Sequence, residues 1–210
     1  RRKLLIQKMD NIIEPGNIVA VGSAAFDTIQ TPFGCAEYTV GGSVFYIGAV
    51  GGLFAPVHVV AVVGDDFSFN DIEFLKDRNV NLEGLEVANG QTFHWEGLYH
   101  ENMNIRDTVS TDLGVFEGFD PKLPDSARNA EFLLLANIDP ALQLKVLEQI
   151  KSPRLIAFDT MNFWIEGRRE EVDQMISKVD LVILNDEEIF LLTKEYSPLA
   201  GAKMLLEMGP

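Results

Sequence analysis

The 210-residue chain is short of three things, and each shortage removes a class of function. It has a single cysteine, Cys35, so no disulfide can form within it. A lone thiol suits a reducing compartment, and the cytoplasm is the expected location. Basic residues are scarce: 17 Lys and Arg stand against 32 Asp and Glu, a formal charge of −15. Such a surface repels nucleic acid and anionic lipid, and no local basic patch reverses this, so no nucleic-acid or membrane partner is expected. Long apolar runs are missing too, and none approaches the roughly 20 residues that a membrane-spanning helix needs. The basic start, Arg1-Arg2-Lys3, leads into a mixed stretch at 4–10, which makes a poor signal peptide.

Familiar chemical motifs are absent as well. There is no G-x-x-x-x-G-K-[ST], no G-x-G-x-x-G after a strand, no H-E-x-x-H and no paired C-x-x-C. The three histidines are His58, His94 and His100. If the last two share a strand they lie roughly 20 Å apart, too far to bind one metal. No Ser-His-Asp or Cys-His arrangement follows from spacing.

What is present is a core. With 47% hydrophobic residues the chain can bury a substantial interior as one domain, with or without an excursion. Short apolar runs at 17–22 (NIVAVG), 57–64 (VHVVAVVG), 131–138 (EFLLLANI), 154–159 (RLIAFD) and 180–185 (DLVILN) each end in Gly, Asp, Asn or a residue beside one. They predict strands buried on both faces. Between them, helices are predicted at 43–52, 69–78, 140–150, 168–179, 187–194 and 198–208. The alternation predicts an α/β fold, a doubly wound, mostly parallel sheet flanked by helices. Two segments break it, at about 31–40 and 92–111, and their β-prone, polar-alternating sequences predict a small antiparallel sheet, with "HENMN" as a hairpin turn. Phe93, Trp95 and Tyr99 share one parity there, hence one face, which either covers a site, meets a second copy, or packs on the body of the domain.

Polar residues gather at the predicted strand ends. Asp27 follows the first run, Asp65 and Asp66 the second, Asp159 and Asn162 the fourth, and Asn185 with Glu188 the fifth. Each alone suits a helix cap or a turn. Repeated along the carboxyl edge of an open α/β sheet, they mark a ligand site by topology. The glycine pair Gly41-Gly42, set directly before an apolar helical run, signals a turn, a hinge or a close approach of backbone to a ligand.

Taken in order, "VAVGSAAFD", "GGSVFYIGAV", "AVVGDDF" and "LVILNDEE" resemble the ribokinase-like (PfkB) carbohydrate and nucleoside kinases, over the chain from about Ile18 onward. The resemblance implies one ribokinase-like domain over 1–210, its α/β sheet covered by a β-lid. It also implies transfer of the γ-phosphoryl of ATP to a hydroxyl of a sugar or nucleoside. In that scheme Asp27 accepts hydrogen bonds from substrate hydroxyls, Gly41 and Gly42 give room and hinge the lid, and Arg106 reaches phosphate or substrate. Asn185 and Glu188, with Asp159 and Asn162 nearby, serve the ATP end, Glu188 holding Mg²⁺ through water.

Two departures qualify the likeness. Tyr46 stands where the family often has an asparagine that contacts substrate, so the sugar is not transferred by analogy. The family's G-A-G-D segment, which supplies an anion hole and the catalytic aspartate, does not occur in these residues. No residue is therefore assigned as the base, and the sequence reads as the N-terminal part of such a kinase, inactive by itself. Lacking a basic cluster for a second phosphate, it favours a nucleoside or pentose as substrate. "DTMNFW" (159–164) offers aromatic surface either to a nucleobase or to a covering helix. The alternative is a non-catalytic module of the same fold that binds a sugar or nucleoside, or dimerises through the lid.

Overall fold

The structure, a computed structural model, describes residues 16–210 apart from Asn104. The basic start, the stretch at 4–10 and the last residue of the "HENMN" turn therefore lie outside the described residues. In chain order the strands are β1 (Ile18–Val21), β2 (Ala25–Thr31), β3 (Gly34–Gly41), β4 (Val57–Gly64), β5 (Val80–Ala88), β6 (Phe93–Tyr99), β7 (Arg106–Asp112), β8 (Phe132–Leu135), β9 (Leu155–Asp159) and β10 (Leu181–Ile183). The helices are α1 (Ser43–Gly51), α2 (Pro140–Leu147), α3 (Asn162–Gly167), α4 (Arg169–Ile176), α5 (Asp186–Thr193) and α6 (Pro198–Leu206), with short 3₁₀ segments at Phe69–Leu75 and Gly114–Gly118. No helix among the described residues is long and apolar enough to cross a membrane.

Six strands form the main sheet in the order β10-β9-β8-β1-β4-β5, and every pairing is parallel. β4 shows why its sequence lacks alternation. All eight of its residues are buried. Val57, Val59, Ala61 and Val63 face one layer, with Ala20, Val44, Phe45 and Leu75. Val60 and Val62 face the other, with Val19, Val21, Leu133, Leu135, Phe158 and Met175. A strand covered on both sides favours apolar residues on both faces, each fully buried Val contributing about 1.5–3 kcal/mol; His58, 8% exposed near the start of β4, is the exception. Helix starts follow local chemistry: Asp139 accepts from the Ala141 N–H at 2.9 Å ahead of Pro140, and Ser197 caps the helix that opens with Pro198.

The elements differ from the sequence reading in several places: β2 was not foreseen, and β10, expected to be buried on both faces, is an edge strand with Leu181 and Ile183 exposed. β5 was not foreseen, because an edge strand with outward polar residues lacks a continuous apolar run. The predicted helix at 69–78 is a 3₁₀ segment ending at Leu75, with Ile72 off helical geometry. Helix α3 occupies part of "DTMNFW", where Trp164 packs against the core while Phe163 stays 64% exposed.

The second sheet has the order β3-β2-β6-β7. Its outer pairings, β2–β3 and β6–β7, are antiparallel, but β2 and β6 run parallel, so the sheet is mixed. The cause lies in the main sheet. β2 follows β1 and β6 follows β5, and two chains leaving parallel strands at the same edge set off in the same direction.

A buried hydrogen-bonded crosspiece ties this lid to the body. Asp66 Oδ1 accepts both the Thr92 N–H (2.8 Å) and the Thr92 hydroxyl (2.6 Å), while Thr92 Oγ1 accepts the Gly64 N–H at 2.9 Å. Thr92 is 2% exposed. Replacing it by Val strands the Gly64 N–H and one Asp66 bond, an expected loss of about 1–3 kcal/mol in denaturant unfolding. Thr92→Ser should restore most of it; equal midpoints for Val and wild type would show that the crosspiece contributes nothing.

Candidate active site

The carboxyl edge of the main sheet gathers the polar residues. Asn137 follows β8, Asp159 ends β9 and leads into Thr160 and Asn162, and Asn185 with Glu188 follows β10. Register places Ile183 beside Asp159 and Leu135 beside Phe158, so the three strands finish nearly level. Burial pushes the Asp159 carboxyl up to about 6, and the Glu188 charge pushes the same way, while the backbone N–H groups of Thr160 and Asn137 pull it back. Glu188, 8% exposed, is also raised by burial, held back by its bonds to Asn185.

Asn185 and Glu188 bond each other reciprocally. Asn185 Oδ1 accepts the Glu188 N–H, and Glu188 Oε2 accepts the Asn185 N–H, both at 2.9 Å, which makes a capping box at the start of α5. The cap fixes the carboxylate before any ligand arrives. Beside it, three buried oxygens have no hydrogen-bond partner among the described residues: Asn137 Oδ1, Thr160 Oγ1 and Asn162 Oδ1. Unpartnered buried oxygens are rare and ask for a bound group.

Asp27 lies elsewhere than the sequence suggested, within strand β2 and not in a loop past β1. Burial raises its pKa, with His94 pulling the other way, and its carboxylate accepts no hydrogen bond among the described residues. It sits over Gly41, where a Cβ would overlap the carboxylate itself. Gly42 has φ 84°, and a Cβ there would stand 2.5 Å from Ser23 O and 2.7 Å from Ala24 Cα. One glycine clears space for the acid; the other lets the backbone turn tightly into α1.

Of the other candidates, Tyr46 is 59% exposed on the outer side of α1 and bonds none of them. Arg106 is exposed at the start of β7 with no ion pair among the described residues, yet its charge lowers the Glu188 pKa, which brings the lid tip into electrostatic reach of the sheet edge. His94 is hydrogen-bonded to Thr28 at 2.9 Å and stacked on Tyr38, and His100 bonds Asp107. Asn137 and Thr160 were not singled out from sequence. The signal for Asn137 was the same as for its neighbours: a polar residue directly after an apolar strand.

No family model matches the chain. A cytidine kinase of Thermococcus kodakarensis is 25% identical over 196 residues, which cover 92% of this chain and 70% of that protein. The nucleoside kinase of Methanocaldococcus jannaschii, an archaeal member of the ribokinase family, superposes with a TM-score of 0.67 at 18% identity, over 87% of this chain and 65% of that one. The ribokinase of Arabidopsis thaliana, solved with ribose and ATP, gives a TM-score of 0.67 at 17% identity, over 93% and 70%. The chain thus resembles the ribokinase-like (PfkB) kinases and has their fold, spanning about two thirds of the length of these relatives.

The Asp159 shift has a consequence for stability. Its carboxyl binds the proton more tightly in the folded protein (about 6) than at the ordinary value of 3.8. Its contribution is therefore fullest below the lower value and declines as pH rises through the upper one. Asp159→Asn, which cannot ionise, should flatten the fall in Tm between about pH 4 and about pH 7. Parallel Tm–pH curves for the two proteins would rule the shift out.

Proposed function

We propose that the protein is an ATP-dependent phosphotransferase acting on a hydroxyl of a nucleoside or pentose. The observation that carries this is the Asp27 carboxylate, partly buried, without a donor among the described residues, and given its room by Gly41. A desolvated carboxylate in that state seeks hydroxyl donors, and neighbouring hydroxyls on a sugar ring supply two at once. No basic cluster stands by to receive a phosphate already on the substrate, which favours a free nucleoside or pentose.

The oxygen set at the other end fits a hydrated divalent cation. Asp159 and Glu188 are carboxylates in mutual repulsion, and the unpartnered oxygens of Asn137, Thr160 and Asn162 suit the water shell of a hard ion. These residues and Asn185 would hold Mg²⁺, Glu188 through water; the ion would offset negative charge on the ATP phosphates. Arg106 would add positive charge from the lid. In the transfer, the substrate hydroxyl oxygen bonds to the γ-phosphorus, the bond from that phosphorus to the β–γ bridging oxygen breaks, and ADP leaves. The hydroxyl proton passes to a base that none of the assigned residues supplies.

The outer strands also suggest how copies meet. β3 and β7 are exposed along nearly their whole length, with Phe33 85% exposed at the tip, and open strand edges of this kind favour pairing with a second copy. A lid-to-lid homodimer in the cytoplasm is the assembly we infer.

The decisive assay incubates the protein with Mg-ATP and a panel of nucleosides and pentoses, and follows ADP release and the mass of the acceptor. One acceptor gaining a phosphate is the expected result. Binding without ADP release would leave the non-catalytic binding module instead. Asp27→Asn should weaken acceptor binding by about 1–3 kcal/mol with little change in Tm; an unchanged Kd takes Asp27 out of the site.

A further inference from the structure

Away from the polar sheet edge, a cleft of about 340 Å³ opens between β5 and the segment 119–124. Its floor is apolar and covered, with Val60, Phe119 and Leu123 at 1%, 6% and 2% exposure. Its rim is charged and exposed, formed by Glu83, Glu86 and Lys122. We infer that this cleft is an effector site that takes a small zwitterion with an apolar body, an α-amino acid with an apolar side chain, and that its occupancy is felt by the lid. None of these residues belongs to the site described above, so the inference stands whether or not the protein transfers phosphate.

A slip in strand pairing shapes the rim. β4 and β5 pair His58 with Asn81 but Val60 with Gly84, so Leu82 and Glu83 share the place opposite Val59. A bulge of this kind re-aims the side chains it carries. Asn81 Oδ1 accepts the Glu83 N–H at 2.7 Å, and Glu83 Oε2 accepts the Ser126 hydroxyl at 2.5 Å, which ties that carboxylate to the segment beyond Pro124. Glu86 and Lys122 make no hydrogen bond or ion pair among the described residues. The Lys122 charge reaches Asp120, but Lys145 already pairs with that carboxylate at 2.9 Å. Two residues before Val60, and so on the same face of β4, His58 is 8% exposed, and its Nδ1 is buried with no partner among the described residues. Burial lowers the His58 pKa, with the Glu83 charge pulling the other way, so a neutral ring adds one unpartnered polar atom beside the floor.

This lining selects among ligands. A phosphate or nucleotide meets two carboxylates in a chain of net charge −15. A wholly apolar molecule strips water from Glu86 and Lys122 and gives nothing in return. A zwitterion answers both signs, its ammonium with Glu83 and Glu86 and its carboxylate with Lys122, while its apolar group lies on Phe119. The volume, near the lower end for small-molecule sites, suits one small metabolite. Phe119 also leads to the lid. It stacks on Phe116 with ring centroids 5.7 Å apart, and Phe116 stacks on Phe93 at 5.4 Å. Phe93 opens β6, so three stacked rings join the cleft floor to a lid strand. A ligand that steadies Phe119 steadies the start of that strand.

The test is calorimetry without ATP or any acceptor. L-Leucine and L-phenylalanine are each titrated beside the matching amide, which lacks the carboxylate, and the matching deaminated acid, which lacks the ammonium. At least one amino acid should bind saturably, with its amide and its deaminated acid at least tenfold weaker. Glu86→Gln and Lys122→Ala, both at exposed positions, should each weaken that binding at least fivefold with Tm unchanged. No binding of either amino acid, equal binding of the amide or the deaminated acid, or an unchanged Kd in both variants would overturn the site. Hydrogen exchange reads the lid: the bound amino acid should slow exchange at 93–99, and Phe116→Leu should abolish that slowing. Binding that leaves exchange at 93–99 unmoved would overturn the effector role.

Discussion

Everything at the site depends on one constraint: a parallel sheet buried on both faces sends all its strand ends to the same edge. From Val59 to Gly64 the interior of β4 carries only apolar side chains or none, His58 near its start being the one polar exception, so most polarity has to wait until the strand ends. Three neighbouring strands obeying that rule, β8, β9 and β10, collect Asn137, Asp159, Thr160, Asn162, Asn185 and Glu188 at one edge. The same rule builds the lid. β2 and β6 leave that edge in the same direction, pair in parallel, and bring Asp27 alongside Trp95 although 68 positions separate them.

Electrostatics then sets what the edge can do. Asp27, Asp159 and Glu188 are all raised by burial, in a chain whose net charge is already −15. Folding around these carboxylates costs free energy, because the hydration each loses outweighs the pull of the charges near it, His94 at Asp27 and Arg106 at Glu188. Among the described residues, Arg106 is the one basic group that acts on Asp159 or Glu188, and it comes from the lid. On the proposed reading, a cluster in that condition would be relieved by a bound cation. On that reading an anionic nucleotide would enter it with a metal, since the surrounding field opposes a bare phosphate. The capping box makes the acid ready in advance: Glu188 is fixed by its own helix, so little side-chain entropy remains to be lost on binding.

How far the sequence revealed this varied with the physics behind each feature. The core strands β1, β4, β8 and β9 were visible because cover on both faces leaves an unbroken apolar run, and β10 showed the same run although it is an edge strand with Leu181 and Ile183 exposed. β5 was hidden because an edge strand has one partner and an outward face that tolerates Glu and Asn. Strand-end residues were visible as polar residues stopping apolar runs, and the structure brings Asp159, Asn162, Asn185 and Glu188 to one edge. The meaning of Gly41 and Gly42 was not legible. Three readings were open from sequence, and the choice needed the β2–β3 pairing that sets Asp27 over Gly41 and the segment 23–25 against Gly42. "DTMNFW" stayed ambiguous for the same reason: which of two adjacent aromatics is covered depends on the helix phase.

The two sheets divide the labour of recognition. Asp27 lies at the root of the lid, where Phe26 stacks on Phe67 and the Asp66–Thr92 crosspiece anchors β6 to the end of β4. Tyr99 and Arg106 lie at the tip, where β7 is exposed throughout. Local stability follows contact with the core, so the root keeps its geometry while the tip opens at lower cost. Interactions at the root can orient a hydroxyl without any movement of the lid. On the proposed reading, interactions at the tip would depend on where the tip stands. A substrate touching both root and tip would then hold Arg106, whose charge already acts on Glu188, beside the acidic cluster.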